Sequence, residues 1–382
     1  MDLELTDEQQ ELRTSVRAFL ARECPIGLVR AVVERGERVD ALWQHMVELG
    51  WPGLTVAAEH GGVGLGFVEL GVVVEELGRV IAPGAFLATA SQFVPVVRHA
   101  GTPEQRARFL GAVASGRITG ALAASGATGS AAAADLGVVA HRADGGWRLE
   151  GAEHHVLDGD TADELAVAAR VDDGVGLFIV PAAAARTRVT PTLDATRRYA
   201  IVELEGVTVG DDRALGARPD KGGDDGGHNG GHNGIALERA LQEATTALAL
   251  ETVGTCQSIF ELALGHARER EQFGVPIGSF QAIKHKFADL LVALERARAT
   301  CYFAALAIAE DDDRRALATS MAKAAAGDCQ RLVAQEGIQV LGGIGYTWEH
   351  DMHLYVKRAK AGDALLGTAG RHRLKVAELI GL

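Results

Sequence analysis

Aromatic side chains are scarce in this chain of 382 residues, at 5%. No apolar run reaches the roughly 18 residues that a membrane span requires, and no signal-peptide pattern opens the sequence. Cations are in deficit: 38 Lys and Arg stand against 51 Asp and Glu, a formal charge of −13. Nucleic acid and anionic membrane surfaces both select clustered Lys and Arg, so neither is an expected partner. Cysteine is rare as well. Cys24, Cys256, Cys301 and Cys329 are scattered without a CxxC spacing, which reads as buried thiols in a reducing, cytoplasmic compartment. What remains is 47% hydrophobic and 23% charged, the balance of a soluble globular protein long enough for two or three domains.

The periodicity changes twice along the chain. Thr6 followed by Gln9 is a capping-box pattern, and Leu12, Val16, Phe19 and Leu20 then recur on one helical face. Further helices are expected in "ALWQHMVELG", in the apolar "FVELGVVVEELGRVIA", and from Thr102-Pro103-Glu104, where proline suits the first helical turn. Short β-rich runs follow, among them "GWRLEGAEHHVL", "ELAVAARV", "VGLFIVP" and "YAIVELEGVTV", separated by Gly, Asp and Pro. Long helical patterns return over 237–270, 279–309, 312–340 and 367–380. The expected fold is therefore α+β. An all-α segment spans 1–117, a small antiparallel β domain 118–215 and a C-terminal four-helix bundle 237–382. Between the last two lies 216–236, a flexible Gly-rich loop with a repeated GGHN. His228 and His232 beside Asp224 and Asp225 suggest metal ligands, but no rigid element fixes them, so a solvated linker is expected and no metal.

Two C-terminal stretches are specific in combination. "REQFGVPIGSFQAIKHKFADL" carries Arg270, Phe273-Gly274 and Phe280-Gln281; "IQVLGGIGYTWEHDMHLYVKRAK" carries Gln339, Gly342-Gly343, Glu349 and Arg358. An arginine at a helix end presents a planar cation suited to pyrophosphate, and paired glycines let a dinucleotide approach the backbone. Together with the N-terminal "LGWPGLTVAAEHGGVGLGFVELGVVVEELGR", these stretches resemble the acyl-CoA dehydrogenase family over nearly the whole chain.

The resemblance implies an N-terminal helical domain, a central β domain and a C-terminal four-helix bundle. It implies FAD as cofactor, an acyl-CoA thioester as substrate, an electron-transfer flavoprotein as acceptor, and a homo- or hetero-tetramer. Arg270, Gln272, Phe273 and Gln281 would serve one part of the FAD half-site; Gln339, Gly342, Gly343 and Thr368 would serve the rest, largely toward a neighbouring subunit's flavin.

The family's reaction also needs a carboxylate to remove the α-proton, a contribution of roughly 10²–10⁴ in rate. Its commonest position precedes a Gly-Thr pair, 27 residues after the glutamine; here that residue is Leu366. The alternative lies 29 residues before the phenylalanine, and here it is Ala244. Glu243 is its neighbour and the best remaining base, though one helical step turns a side chain by about 100°. Glu238 lies too early and Glu251 too deep. Flavin-facing motifs of the β domain are altered too: against the family's Thr-Glu-Pro-Gly-Ala-Gly-Ser-Asp, "AASGATGSAAAAD" keeps Gly126-Ala127 but loses the Thr and the acid–proline pair, and the Trp-Ile-Thr-Asn stretch becomes the region of His155 and Leu157. Two readings stay open. The chain is an active dehydrogenase with Glu243 as base, or a non-catalytic subunit completing FAD sites beside a Glu-bearing paralogue.

Overall fold

Thr6 and Gln9 cap the first helix reciprocally, each side chain accepting from the other's backbone. In the computed structural model, which describes residues 4–127, 129, 131–172, 174–216 and 230–382 (side chains of the last stretch from 233), seven helices come first. They are α1 (Asp7–Glu23), α2 (Ile26–Arg35), α3 (Asp40–Glu48), α4 (Phe67–Arg79), α5 (Phe86–Ala88), α6 (Val94–Ala100) and α7 (Pro103–Ala114). Helix α7 repeats the capping box with Thr102 and Gln105, with proline in its first turn.

Seven strands follow: β1 (Gly120–Ala123), β2 (Val138–Ala143), β3 (Gly146–Leu157), β4 (Glu164–Val171), β5 (Gly174–Pro181), β6 (Arg186–Val189) and β7 (Tyr199–Gly210). After them come α8 (Gly230–Glu269), the small hairpin β8 (Glu271–Gln272) and β9 (Val275–Pro276), then α9 (Gln281–Ala309), α10 (Arg315–Leu341), α11 (Met352–Ala364) and α12 (Ala369–Leu379). The α–β–α order expected from the sequence is present. Helix α8 starts at Gly230, inside the stretch read as loop, because Asn233, Ala236 and Leu237 are buried at its head. Asp224, Asp225 and His228 lie outside the described residues, as does the His232 side chain. Helices α2 and α11 were not expected.

The chain forms two compact units. One comprises residues 39–66 and 84–244 and contains the sheet. Its strands run in the order β1-β4-β2-β3-β7-β6, with β5 also paired to β4. The sheet is not purely antiparallel: β1 pairs β4 in parallel, Gly120 opposite Glu164 through Ala123 opposite Val167. Alternation along β4 and β5 sends residues to two cores. Ala166, Ala168, Leu177 and Ile179 pack with Phe93, Val97, Phe109 and Leu237, while Leu165, Val167, Phe178 and Val180 pack with Trp147, Leu149 and Val202.

The other unit comprises 1–38, 67–83 and 245–382. Its α4 and α8 cross at glycines. A side chain added at Gly78 would run into the Glu251 carbonyl, and one at Gly254 into that of Glu75. Buried acids of α4 are paired: Arg17 donates to both oxygens of Glu76, and Arg298 and Tyr302 donate to Glu75 at 2.8 and 2.7 Å. All four cysteines are buried and free. Among the described residues no helix is long and apolar enough to cross a membrane.

Candidate functional site

Leu366 sits in the corner between α11 and α12 with a left-handed φ of 57°, a conformation a branched side chain adopts at a cost of about 1 kcal/mol. Its neighbours hold it there. The fully buried Lys323 of α10 donates from Nζ to Asp363 O at 2.9 Å and Gly367 O at 2.7 Å. Burial lowers the His372 pKa, so the ring is neutral at pH 7 and gives its Nε2 proton to Leu366 O at 2.9 Å. Ala369 N donates to Asp363 Oδ1 at 3.0 Å, and Thr368 caps α12 through Arg371 N. The corner is rigidly built, yet the side chain it presents cannot accept a proton.

At the second expected position Ala244 is buried. Next to it, Glu243 is 2% exposed and engaged at both oxygens: Arg98 Nη2 donates to Oε2, and the His99 ring shares a 2.6 Å hydrogen bond with Oε1. Burial alone would push this carboxyl up. The Arg98 guanidinium and then the His99 ring outweigh burial and hold its pKa at about 2. Glu251, two turns on, is clamped by Arg358, whose Nη1 donates to Oε1 at 2.7 Å while Nη2 donates to the carbonyls of Ile81 and Ala82. Glu238 is exposed.

The residues expected at a dinucleotide lie on the surface of the helical unit. Ile277 N donates to Arg270 O at 2.8 Å, closing the β8–β9 hairpin. Its two turn residues, Phe273 and Gly274, have φ of 57° and 79°, the requirement of a tight two-residue hairpin turn. Phe273 is 93% exposed, its ring edge-on to that of Phe280 at 6.1 Å. Arg270, Gln272, Gln281 and Gln339 are exposed too. Gly342, with φ 63° and ψ −139°, needs glycine to end α10. Gly343 does not: its φ is not positive, and a side chain there would meet nothing of this chain.

In the sheet unit, His155 is exposed at a bulge where β3 gains one residue on β7, with φ 56°. Gly126 packs so closely on Asp135 O that a side chain would collide with it. Sequence reasoning missed the polar partners: Arg98 and His99 for Glu243, Lys323 and His372 for the corner. A lone lysine among the alanines of "MAKAAAGD" was the signal available for Lys323.

This fold and these motifs define a flavoprotein-dehydrogenase type of chain. Residues 6–117 match the N-terminal domain and residues 233–381 the C-terminal domain of acyl-CoA dehydrogenases, and the chain belongs to the acyl-CoA dehydrogenase family. Among similar proteins, acyl-CoA dehydrogenase IpdE2 of Mycobacterium tuberculosis is 30% identical over 94% of this chain and 93% of its own length. Among solved structures, a variant of the Tcur3481-Tcur3483 steroid ACAD is 30% identical, with a TM-score of 0.85 over 98% of each chain. The ChsE4-ChsE5 complex from Mycobacterium tuberculosis is 26% identical, with a TM-score of 0.87 over all of both chains.

Proposed function

We propose that the chain is the partner subunit of a hetero-oligomeric acyl-CoA dehydrogenase, completing FAD sites whose catalytic glutamate comes from a paralogous chain. One observation carries this reading: no available carboxylate stands where the family's base is expected. Leu366 and Ala244 occupy the two positions, and Glu243 is committed to Arg98 and His99. A carboxyl held at about 2 is too weak a base to take a proton efficiently near neutrality.

The exposed residues suit the other half of that role. Arg270 offers a planar cation, Phe273 an aromatic face, and Gly343 a backbone that its own chain leaves uncovered. With Gln272, Gln281, Gln339, Gly342 and Thr368 they would hold the adenosine-diphosphate half of FAD, which when bound supplies the acceptor for the substrate's β-hydride. Two of the similar structures carry paired names, one called a complex and the other a steroid ACAD. That supports a two-chain assembly acting on a steroid acyl-CoA thioester; a fatty acyl-CoA as substrate and an electron-transfer flavoprotein as acceptor rest on the family resemblance alone.

The deciding experiment is the visible spectrum of the chain purified alone and after co-expression with a Glu-bearing paralogue. The expected result is a colourless protein alone and a yellow complex with FAD at half the chain count, bleached anaerobically by an acyl-CoA. A chain that alone holds one FAD and is bleached by a thioester would overturn the reading in favour of a self-sufficient dehydrogenase.

A further inference from the structure

The chain turns from α11 into α12 through two consecutive left-handed φ angles, 57° at Leu366 and 97° at Gly367. Glycine takes such an angle freely; leucine does not, and stays there only where its surroundings over-determine it. Lys323 of α10 supplies that constraint. Its Nζ donates to Asp363 O before residue 366 and to Gly367 O after it, at 2.9 and 2.7 Å, so one side chain spans the turn. Lys323 is 1% exposed, and a charge so deep is held only while its donors are taken. Gly327 lies one helical turn further along the same face of α10 and lets the corner come close. A side chain there would collide with Asp363 Oδ1 and with the Ala369 side chain. Asp363 Oδ1 in turn accepts the N–H of Ala369, the first residue of α12, and Thr368 caps that helix.

We propose that Lys323 is a positioning residue for the assembly's flavin site: it holds the α11–α12 corner left-handed at Leu366 and thereby sets where Thr368 stands. The role toward flavin rests on the reading above. Control of the corner belongs to this chain alone and needs neither flavin nor partner.

Residue 366 can report its own backbone angle. Leu366→Gly and Leu366→Ala both remove the side chain beyond Cβ, so the difference between them comes from the main chain. In a left-handed corner glycine escapes the strain that alanine bears. In any other conformation glycine is the less stable of the two, because its unfolded chain has more freedom to lose. The order of the pair therefore reads the sign of φ. A Lys323 that only fills space would leave that order unchanged on removal. The His372 ring also donates to Leu366 O, at 2.9 Å, and is the competing tether.

The test is denaturant titration of the full chain carrying each substitution, with Lys323 intact and with Lys323→Met. With Lys323 intact, the glycine variant is expected to have the smaller unfolding constant, by about twofold or more. With Lys323→Met the order should reverse. The same order in both backgrounds overturns the proposal, since His372 would then suffice. In the co-expressed complex, Lys323→Met with Leu366 in place should lose flavin on desalting. A reversed order with full flavin retention overturns the role toward flavin and leaves the partner-subunit reading standing. A wild-type complex that holds no FAD overturns that reading instead, and the comparison at residue 366 still decides what sets the corner. Should Lys323→Met fail to fold, ammonium NMR of the wild-type chain decides: Nζ protons of Lys323 protected from exchange sustain the tether, and exchange as fast as at exposed lysines overturns it.

Discussion

Glu243 shows why the identity of a residue does not settle its role. Its sequence position beside Ala244 makes it a candidate base; its surroundings make it half of a buried ion pair. The paired carboxyl near 2 has an ordinary value of 4.5, so its contribution to stability is complete above 4.5 and is lost as pH falls toward 2. Glu243→Gln removes the charge and leaves Arg98, itself partly solvated, without its counter-ion. The expected cost is about 2–3 kcal/mol, since breaking a buried pair unbalances it. Denaturant titrations at pH 7 and pH 3 check this: the gap between wild type and variant should narrow at the lower pH. Equal stability at pH 7 would mean that the pair contributes little to the fold. Flavin reduction in the assembled complex should survive the substitution, whereas a Glu243 base would lose it.

Helices α4 and α8 were legible as apolar periodic runs, but what lets them cross was not. A glycine in a helical pattern looks the same whether it meets a neighbour or nothing. A Cβ at Gly254 would collide with the Glu75 carbonyl, while one at Gly265 on the same helix would meet nothing within 4 Å. Alanine should therefore act oppositely at the two sites. Gly265→Ala is expected to stabilise by about 0.5–1 kcal/mol through helix propensity, and Gly254→Ala to destabilise by about 1–3 kcal/mol through overpacking. Thermal melts of the two variants make the comparison; the same sign at both would refute the crossing.

Other elements were hidden for similar reasons. The apolar stripe of α11 is interrupted by Arg358, buried only because Glu251 and two carbonyls receive it. The parallel pairing of β1 with β4 spans two intervening strands, and no local pattern encodes such a partner. Helix α2 did carry its signals, Pro25 at the start and a left-handed Gly36 at the end. Of the candidate residues, the sequence showed those that shape exposed backbone, the turn of the β8–β9 hairpin and Gly342 at the end of α10. It was illegible where buried polar partners converge from distant segments.

At the scale of the whole molecule, the β8–β9 turn explains the left-handed φ of Phe273 but not the choice of phenylalanine there. A phenylalanine at φ 57° carries backbone strain, and at 93% exposure it gains almost nothing from burial in return. The proposed function assigns the exposed ring a role toward a neighbour's dinucleotide, and that assignment can be tested at this residue. The two contributions can be separated. Phe273→Asn removes the aromatic surface but supplies a residue that tolerates the left-handed region, so the isolated chain should keep its melting temperature or gain slightly, by about 0.5–1 kcal/mol. The assembled complex should lose what the ring provided: flavin content per complex falls, and the flavin dissociates faster on dilution. Desalting the co-expressed complex and reading its visible spectrum measures this directly. An isolated chain that melts lower, with flavin retention unchanged, would assign Phe273 to this chain's own fold. The reverse pattern would mean that one subunit bears strain for a site completed only in the assembly.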